Sequence, residues 1–446
     1  MNRRSFLKKS SLAAAGTFVA PYVMPSGRLF APSGARLANH VVYVLYAGGV
    51  RNQESVEQRY TNGMIAGGGS DGNIMPNMFT GAAPSPSSQV YSPWSPVVTT
   101  PLDKQGFLYN EMRYAQGPTG HYNGHTVAMT GQYTATGLNL NINPEFPTVF
   151  EYYRKHNGGN TSAKNAWWIA STLGPYPSLN YSRHIEYGPM YGANFINPLS
   201  VLSLGNQYLQ DAVPFHLTDE VPRIDKLKNF LDSNFSGAVA SAPGIVNTRE
   251  EREEIKAFIN ELSTQGFNRE YPLPAGAPAN ANNGDLINVG VAWNVLEEFK
   301  PELTVVNMQS SDICHSDFTG YVSRLHKADY AVGWLWDKIQ NDPVLKDDTI
   351  MIVMPEHGRN DEPNSLYDQN GLRGFDHTSD ENSRRIFSLI AGPSGVVNQD
   401  GKASPTGLPV GESIDVVPTI AHILGFHQDI PSGMLPGRVL TEAFTS

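Results

Sequence analysis

The order of apolar runs along this 446-residue chain predicts an α/β fold: a mostly parallel central sheet sandwiched by helices, carrying long loop insertions. Three observations carry that expectation. From about residue 288 onward, helical spacing and short β-branched runs alternate. Near the start of the chain, a further strand-like run, His40 to Tyr46, closes on Ala47-Gly48-Gly49, as a buried strand ending in a tight turn does. Gly and Pro, 42 and 32 in number, collect in long stretches between these runs rather than inside them.

Taken in order, HVVYVLY at 40 to 46 is the first strand. Residues 62 to 106 are rich in Gly, Pro, Ser and Asn and read as a long excursion over the surface or near the site. Helical spacing returns at 148 to 156, and strand character at 166 to 170. Residues 172 to 246 are loop-rich again. The run TREEREEIKAFINEL at 248 to 262 is an amphipathic helix with a solvated, charge-dense face. A helix at 288 to 300, a strand at 303 to 308, a long helix at 316 to 340, strands at 349 to 354 and 386 to 391, and a closing helix at 414 to 424 complete the chain. The long helix places Phe318, Val322, Leu325, Val332, Leu335 and Ile339 on one side, which is core packing.

The totals exclude some functions. Apolar residues make up 40% and charged residues 17%, the composition of a folded chain. A net charge of -10 leaves no basic footprint for nucleic acid. Residues 1 to 31 have a charged start and a short Ala/Gly-rich apolar stretch, the build of an export leader. The run is broken by Gly16, Pro21 and Pro25, so no stable membrane span is expected in the mature protein. Cys314 is the single cysteine, which rules out an intramolecular disulfide.

In open α/β sheets ligands gather at the carboxyl ends of strands. There this chain is unusually polar: Asp312 and His315 follow one strand, Glu356 and His357 another, and Asp376 and His377 stand just before a third. Each pair alone reads equally well as a hydrogen-bonded pair or a cap. Together they have the composition of a nitrogen and oxygen site for zinc, manganese or calcium. The segment GPTGHYNGHTVAMTG, 117 to 131, adds His121 and His125. These are replacement metal ligands, a nucleophile in the case of His121, or ordinary polar residues of a Gly-rich turn. Arg51 and Asn52 suit either an anionic substrate oxygen or a helix cap. Cys314 is a soft ligand or a buried thiol.

Glu356-His357-Gly358 resembles the Asp-His-Gly strand end of the alkaline phosphatase superfamily, which includes sulfatases, nucleotide pyrophosphatases and phosphoglyceromutases. Asp312 with His315, the later His377, and the closing stretch SIDVVPTIAHILG at 413 to 425 are similar to that superfamily too. Arg3-Arg4-Ser5-Phe6-Leu7-Lys8 resembles a twin-arginine signal, which implies a periplasmic or extracellular location. The superfamily resemblance covers roughly 40 to 50, 117 to 155 and 300 to 442. It implies one domain over 40 to 446, with insertions at about 62 to 106 and 172 to 246. It further implies metal ligation by Asp312, His315, Glu356, His357 and His377; Arg51, Asn52 and His125 are expected toward substrate from their own chemistry and place in the chain.

Two departures accompany the resemblance. Gly48 stands where the superfamily has a metal-binding Asp, and counting back from Thr130-Gly131 places His121 at the nucleophile position, flanked by Thr119 and Thr126. The activity expected is metal-dependent hydrolysis of a small anionic phosphate or sulfate ester. The alternative is a non-catalytic relative serving in binding or assembly at the periplasm or cell surface.

Overall fold

The computed structural model describes residues 34–445 apart from 61–70, 135–142, 159–161, 172–178, 200, 203–244, 279–280, 379 and 404–409. The leader at 1 to 31 and most of the insertion at 172 to 246 therefore lie outside the described residues.

Among the described residues eight strands form one mixed sheet: β1 (His40–Tyr46), β2 (Gly106–Arg113), β3 (Ala166–Ile169), β4 (Asn194–Ile196), β5 (Leu303–Met308), β6 (Thr349–Pro355), β7 (Arg385–Ala391) and β8 (Gly401–Ala403). Their spatial order is β4-β3-β5-β1-β6-β7-β2-β8. Pairing is parallel from β4 across to β6, antiparallel at β6/β7 and β7/β2, and parallel again at β2/β8. The helices fully bounded among the described residues are α1 (His121–Thr130), α2 (Val149–His156), α3 (Arg249–Gln265), α4 (Gly284–Phe299), α5 (Phe318–Asn341) and α6 (Val416–Ile423). The fold class expected from the sequence is thus the one observed.

Alternation along β1 explains the layering. Val42, Val44 and Tyr46 face a core built with α3, α4 and α5, while Val41, Tyr43 and Leu45 face a second core built with α2 and α6. All seven residues of β1 are buried, and each fully buried aliphatic side chain contributes about 1.5–3 kcal/mol relative to exposure. A strand so buried sits between its neighbours, not at an edge.

Register then decides where the site lies. Tyr46 pairs with Met308 on one side and Pro355 on the other, so β1, β5 and β6 end together. Because β7 runs antiparallel to β6, its first residue lies near that same edge. β2 pairs antiparallel with β7, so its final residue, Arg113, is also there. Four connections therefore leave or arrive at one rim: 47–50, 114–120 leading into α1, 309–317 and 356–384.

Some local structure differs from the sequence reading. The segment 117 to 131 is largely a helix rather than a turn. Strand β2 was not anticipated, nor was the edge strand β4 inside the loop-rich stretch. The excursion before β2 is no loose surface loop where it is described: Ile74, Met75, Met78 and Phe79 are buried, and Asp329 of α5 accepts hydrogen bonds from the amides of Asn77 and Met78 at 3.0 and 2.8 Å. Among the described residues no helix is long and apolar enough to cross a membrane.

Candidate metal centre

The turn after β1 sets the floor of the site. Gly48 and Gly49 adopt φ of 96° and 76°, a region that suits glycine. A Cβ on Gly48 would lie 2.6 Å from the amide nitrogen of Asp312. No side chain fits there, so β1 contributes a backbone donor instead: the Gly48 amide reaches Glu356 Oε1 at 2.5 Å.

From β5 the chain enters a 3₁₀ segment, Ser310–His315. Its three-residue period brings Asp312 and His315 to one side, with His315 Nε2 3.2 Å from Asp312 Oδ1. Asp285 of α4 steadies this segment by accepting the amides of Gln309 and Ser310 at 2.7 and 3.1 Å. From β6 come Glu356 and His357, both fully buried. From the loop before β7 comes His377, whose ring lies 4.3 Å from that of His357 and 4.8 Å from that of His315, centroid to centroid.

Helix α1 delivers His121 and His125 one turn apart, on one face. Between them Gly124 lets the helix approach β6, where an added Cβ would meet Glu356 Cβ at 3.0 Å. His121 Nδ1 lies 2.7 Å from Glu356 Oε1, and its Nε2 lies 3.0 Å from Asp312 Oδ1. His125 is set against the other Glu356 oxygen, between the His121 carbonyl at 2.8 Å and Asn307 Oδ1 at 3.0 Å.

Two donor sets result: His121, Asp312, His315 and His377 in one, and His121, Glu356 and His357 in the other, the donor atoms of each set lying within 4.8 Å of one another. Their suitability for a cation can be judged from the far sides of the rings. His315 Nδ1 faces Asp376 Oδ1 at 2.6 Å, His377 Nδ1 faces the Thr119 carbonyl at 2.5 Å and His357 Nδ1 faces the Gly358 carbonyl at 2.7 Å. Each of those oxygens accepts a proton from Nδ1, so each Nε2 keeps its lone pair, the arrangement metal-binding histidines adopt. His357 Nε2 is buried without a hydrogen bond, 3.3 Å from a carboxylate oxygen of Glu356. A lone pair against a buried carboxylate is unfavourable unless a proton or cation lies between them. The residues fit a divalent cation.

The electrostatics of the side chains agree with this geometry. Burial raises the Glu356 carboxyl, but His125, His357 and His121 outweigh it and hold the group well below the usual carboxylate range. For Asp312 burial is likewise outweighed, by His121, His315 and Arg359, and its carboxyl is also held low. Burial lowers His121, yet Glu356 and Asp312 bring it up to about 9. Burial and the neighbouring His357, Arg359, His121 and His315 keep His377 far below the ordinary imidazole range.

Not every residue expected from the sequence is brought to this cluster. Arg51 is buried in a pair with Glu54 at 2.6 Å and stacks 3.6 Å above the Phe375 ring. Asn52 donates to the Asn110 carbonyl at 3.2 Å. Thr119 donates its hydroxyl to the His377 carbonyl, and Thr126 is buried within α1. The Cys314 thiol belongs to neither donor set, and burial pushes it up to about 12. The sequence reading missed Arg359, which is fully buried and reaches Asp312 Oδ1 at 2.9 Å and the Phe375 carbonyl at 2.8 Å. Its signal was its place two residues beyond His357, on the same rim.

No family model matches the chain, and no curated protein does. Among solved structures it is similar to a protein of the alkaline phosphatase superfamily from Vibrio parahaemolyticus, at 14% identity and a TM-score of 0.43 over 94% of this chain and 74% of that one. It is similar to the wild-type alkaline phosphatase PafA at 12% identity and a TM-score of 0.45, over 92% of this chain and 99% of that one. A third similarity, at 13% identity and a TM-score of 0.41, is to the lipoteichoic acid synthase LtaP from Listeria monocytogenes, over 94% of this chain and 77% of that one. At these identities and scores the reading of the site rests on its own geometry.

Proposed function

We propose that this chain is a metal-dependent hydrolase of small phosphate or sulfate esters. The observation that carries the reading is the convergence of Asp312, His315, His377 and His121 on one point, with the far nitrogens of His315 and His377 already bound to oxygen acceptors. Asp312, His315 and His377 would hold one divalent ion, zinc foremost, and Glu356 with His357 form a second donor group. A bound ion supplies Lewis acidity to an ester oxygen and lowers the pKa of water.

The chain's own residues do the rest. Arg359 fixes Asp312 from below, and Asp376 fixes the tautomer of His315. The first donor set includes groups open to solvent, with the His315 side chain 36% exposed, while Glu356 and His357 are fully buried. Substrate therefore enters past His315. His121 stands between the two sets, and Glu356 orients its ring. Because the Thr119 hydroxyl is spent on a carbonyl, water is the better candidate for the attacking group.

The leader beginning Arg3-Arg4-Ser5-Phe6-Leu7-Lys8 supports export by the twin-arginine route to the periplasm or beyond, and residues 40 to 446 are taken as one domain. The rival reading, a non-catalytic binding or assembly protein, is favoured by one observation: Gly48 leaves no room for an acidic ligand. The two separate in one experiment. Purified protein is assayed for metal content and for turnover of chromogenic phosphate and sulfate esters; metal with turnover supports the hydrolase, and metal with no turnover across the panel supports the rival.

A further inference from the structure

We infer that His121 bridges two divalent ions, presenting Nε2 to an ion held by Asp312, His315 and His377, and Nδ1 to an ion held by Glu356 and His357. The inference rests on the metal-dependent reading above and adds the ligand that joins the two donor sets.

The second donor set carries the argument. It has only two residues of its own, Glu356 and His357, and the neighbouring strand β1 can add no side chain, because Gly48 has φ of 96° and a Cβ there would stand 2.6 Å from the Asp312 amide. His357 nevertheless aims a fully buried, hydrogen-bond-free Nε2 toward the Glu356 carboxylate. The ring nitrogen that completes the set is His121 Nδ1, 2.7 Å from Glu356 Oε1.

The first set carries the other half. Asp312, His315 and His377 already make three donors, and His121 Nε2 lies 3.0 Å from Asp312 Oδ1. An imidazole has its two nitrogens on opposite sides of a rigid ring, so one side chain serves both sets without moving. Helix α1 holds the ring in place, and the second His121 contact is made possible by the close approach at Gly124. Both ring nitrogens face carboxylate oxygens. Two ions take those positions, and the protons on the ring leave to solvent. Arg359 remains on Asp312 as the fixed partner that keeps this carboxylate oriented.

Copper(II) is the probe, because an imidazole ring shared between two copper ions couples their spins. Metal-stripped full-length protein is loaded with copper(II), and bound metal and the electron paramagnetic resonance spectrum are recorded together. The expected result is a bimetallic protein with loss of the ordinary single-copper signal. His357→Ala is expected to lose one ion and regain that signal, and His121→Ala to lose the coupling while Asp312, His315 and His377 still retain an ion. Circular dichroism of each variant verifies folding, and His357→Ala keeps the test decisive should His121→Ala fail to fold. A single bound ion in the wild type, or two uncoupled ions, overturns the bridge while leaving metal dependence intact. Failure to bind any divalent ion overturns both.

Discussion

His121 Nδ1 and Glu356 Oε1 stand 2.7 Å apart across 235 residues of chain. The pair links the first turn of α1 to the end of β6, and Glu356 also accepts the Gly48 amide at the end of β1. One carboxylate thus ties three elements at the rim of the sheet. Replacing it by Glu356→Gln removes the negative charge from a buried cluster. Breaking a buried pair of this kind costs about 3–5 kcal/mol, so urea unfolding of the ion-free protein is expected to show a loss in that range. A loss within about 0.5 kcal/mol, as for an ordinary surface change, contradicts the role given to Glu356.

Gly48→Ala tests why β1 offers no ligand. The new methyl group meets backbone as well as side chain, at 2.6 Å from the Asp312 nitrogen and 2.9 Å from its Cβ. Strained backbone costs on the order of 1–3 kcal/mol, and overpacking adds a similar amount. Expected is a clear fall in the urea midpoint, together with weaker zinc binding in a competition titration because Asp312 is displaced. Unchanged stability and unchanged zinc affinity would place the Asp312 loop elsewhere.

Asp376→Asn addresses the residue behind His315. The carboxylate lies 2.6 Å from His315 Nδ1, where it fixes the tautomer and strengthens Nε2 as a donor. Loss of such a partner typically weakens metal binding about 10- to 100-fold. Zinc affinity measured by competition with a chromogenic chelator is expected to fall by that factor, with folding intact by circular dichroism. Equal affinity in the variant would remove His315 from the ligand set.

How much of this was legible beforehand depended on local pattern. Strands β1, β5, β6 and β7 were readable because each is a short, mostly apolar run that is buried on both faces. Asp312, His315, Glu356, His357 and His377 stood out because strand ends were the places to look. Helix α1 was not readable: residues 122 to 130 are all buried, so no polar stripe marks a period, and Gly124 interrupts the helical propensity. Strand β2 hid for a different reason, since its register shifts between Tyr109 and Met112 and spoils the two-residue alternation. Arg51 and Asn52 were judged by nearness in sequence to β1, but the Gly48-Gly49 turn carries them into the interior, where Arg51 meets Glu54.

A pH prediction comes from α2, away from the metal centre. Burial pushes the Glu151 carboxyl up to about 7 from 4.5, although Ser182 and Thr148 donate to it. Its folded pKa is raised, so its contribution to stability is fully present below about 4.5 and is lost as pH rises through about 7. The loss amounts to roughly 3 kcal/mol. Urea unfolding at pH 5 and pH 8 is expected to show the wild type losing stability relative to Glu151→Gln over that interval. A constant difference between the two proteins at both pH values contradicts the assignment.

The central claim is tested most directly by ester hydrolysis followed through chelation and reloading. Protein purified without added metal is assayed on chromogenic phosphate and sulfate esters, stripped with a chelator, assayed again, and reloaded with zinc. Turnover of at least one ester that disappears on stripping and returns on reloading is the result the site predicts. Turnover that survives complete removal of the metal, or a protein that neither holds a divalent ion nor hydrolyses any ester, contradicts it.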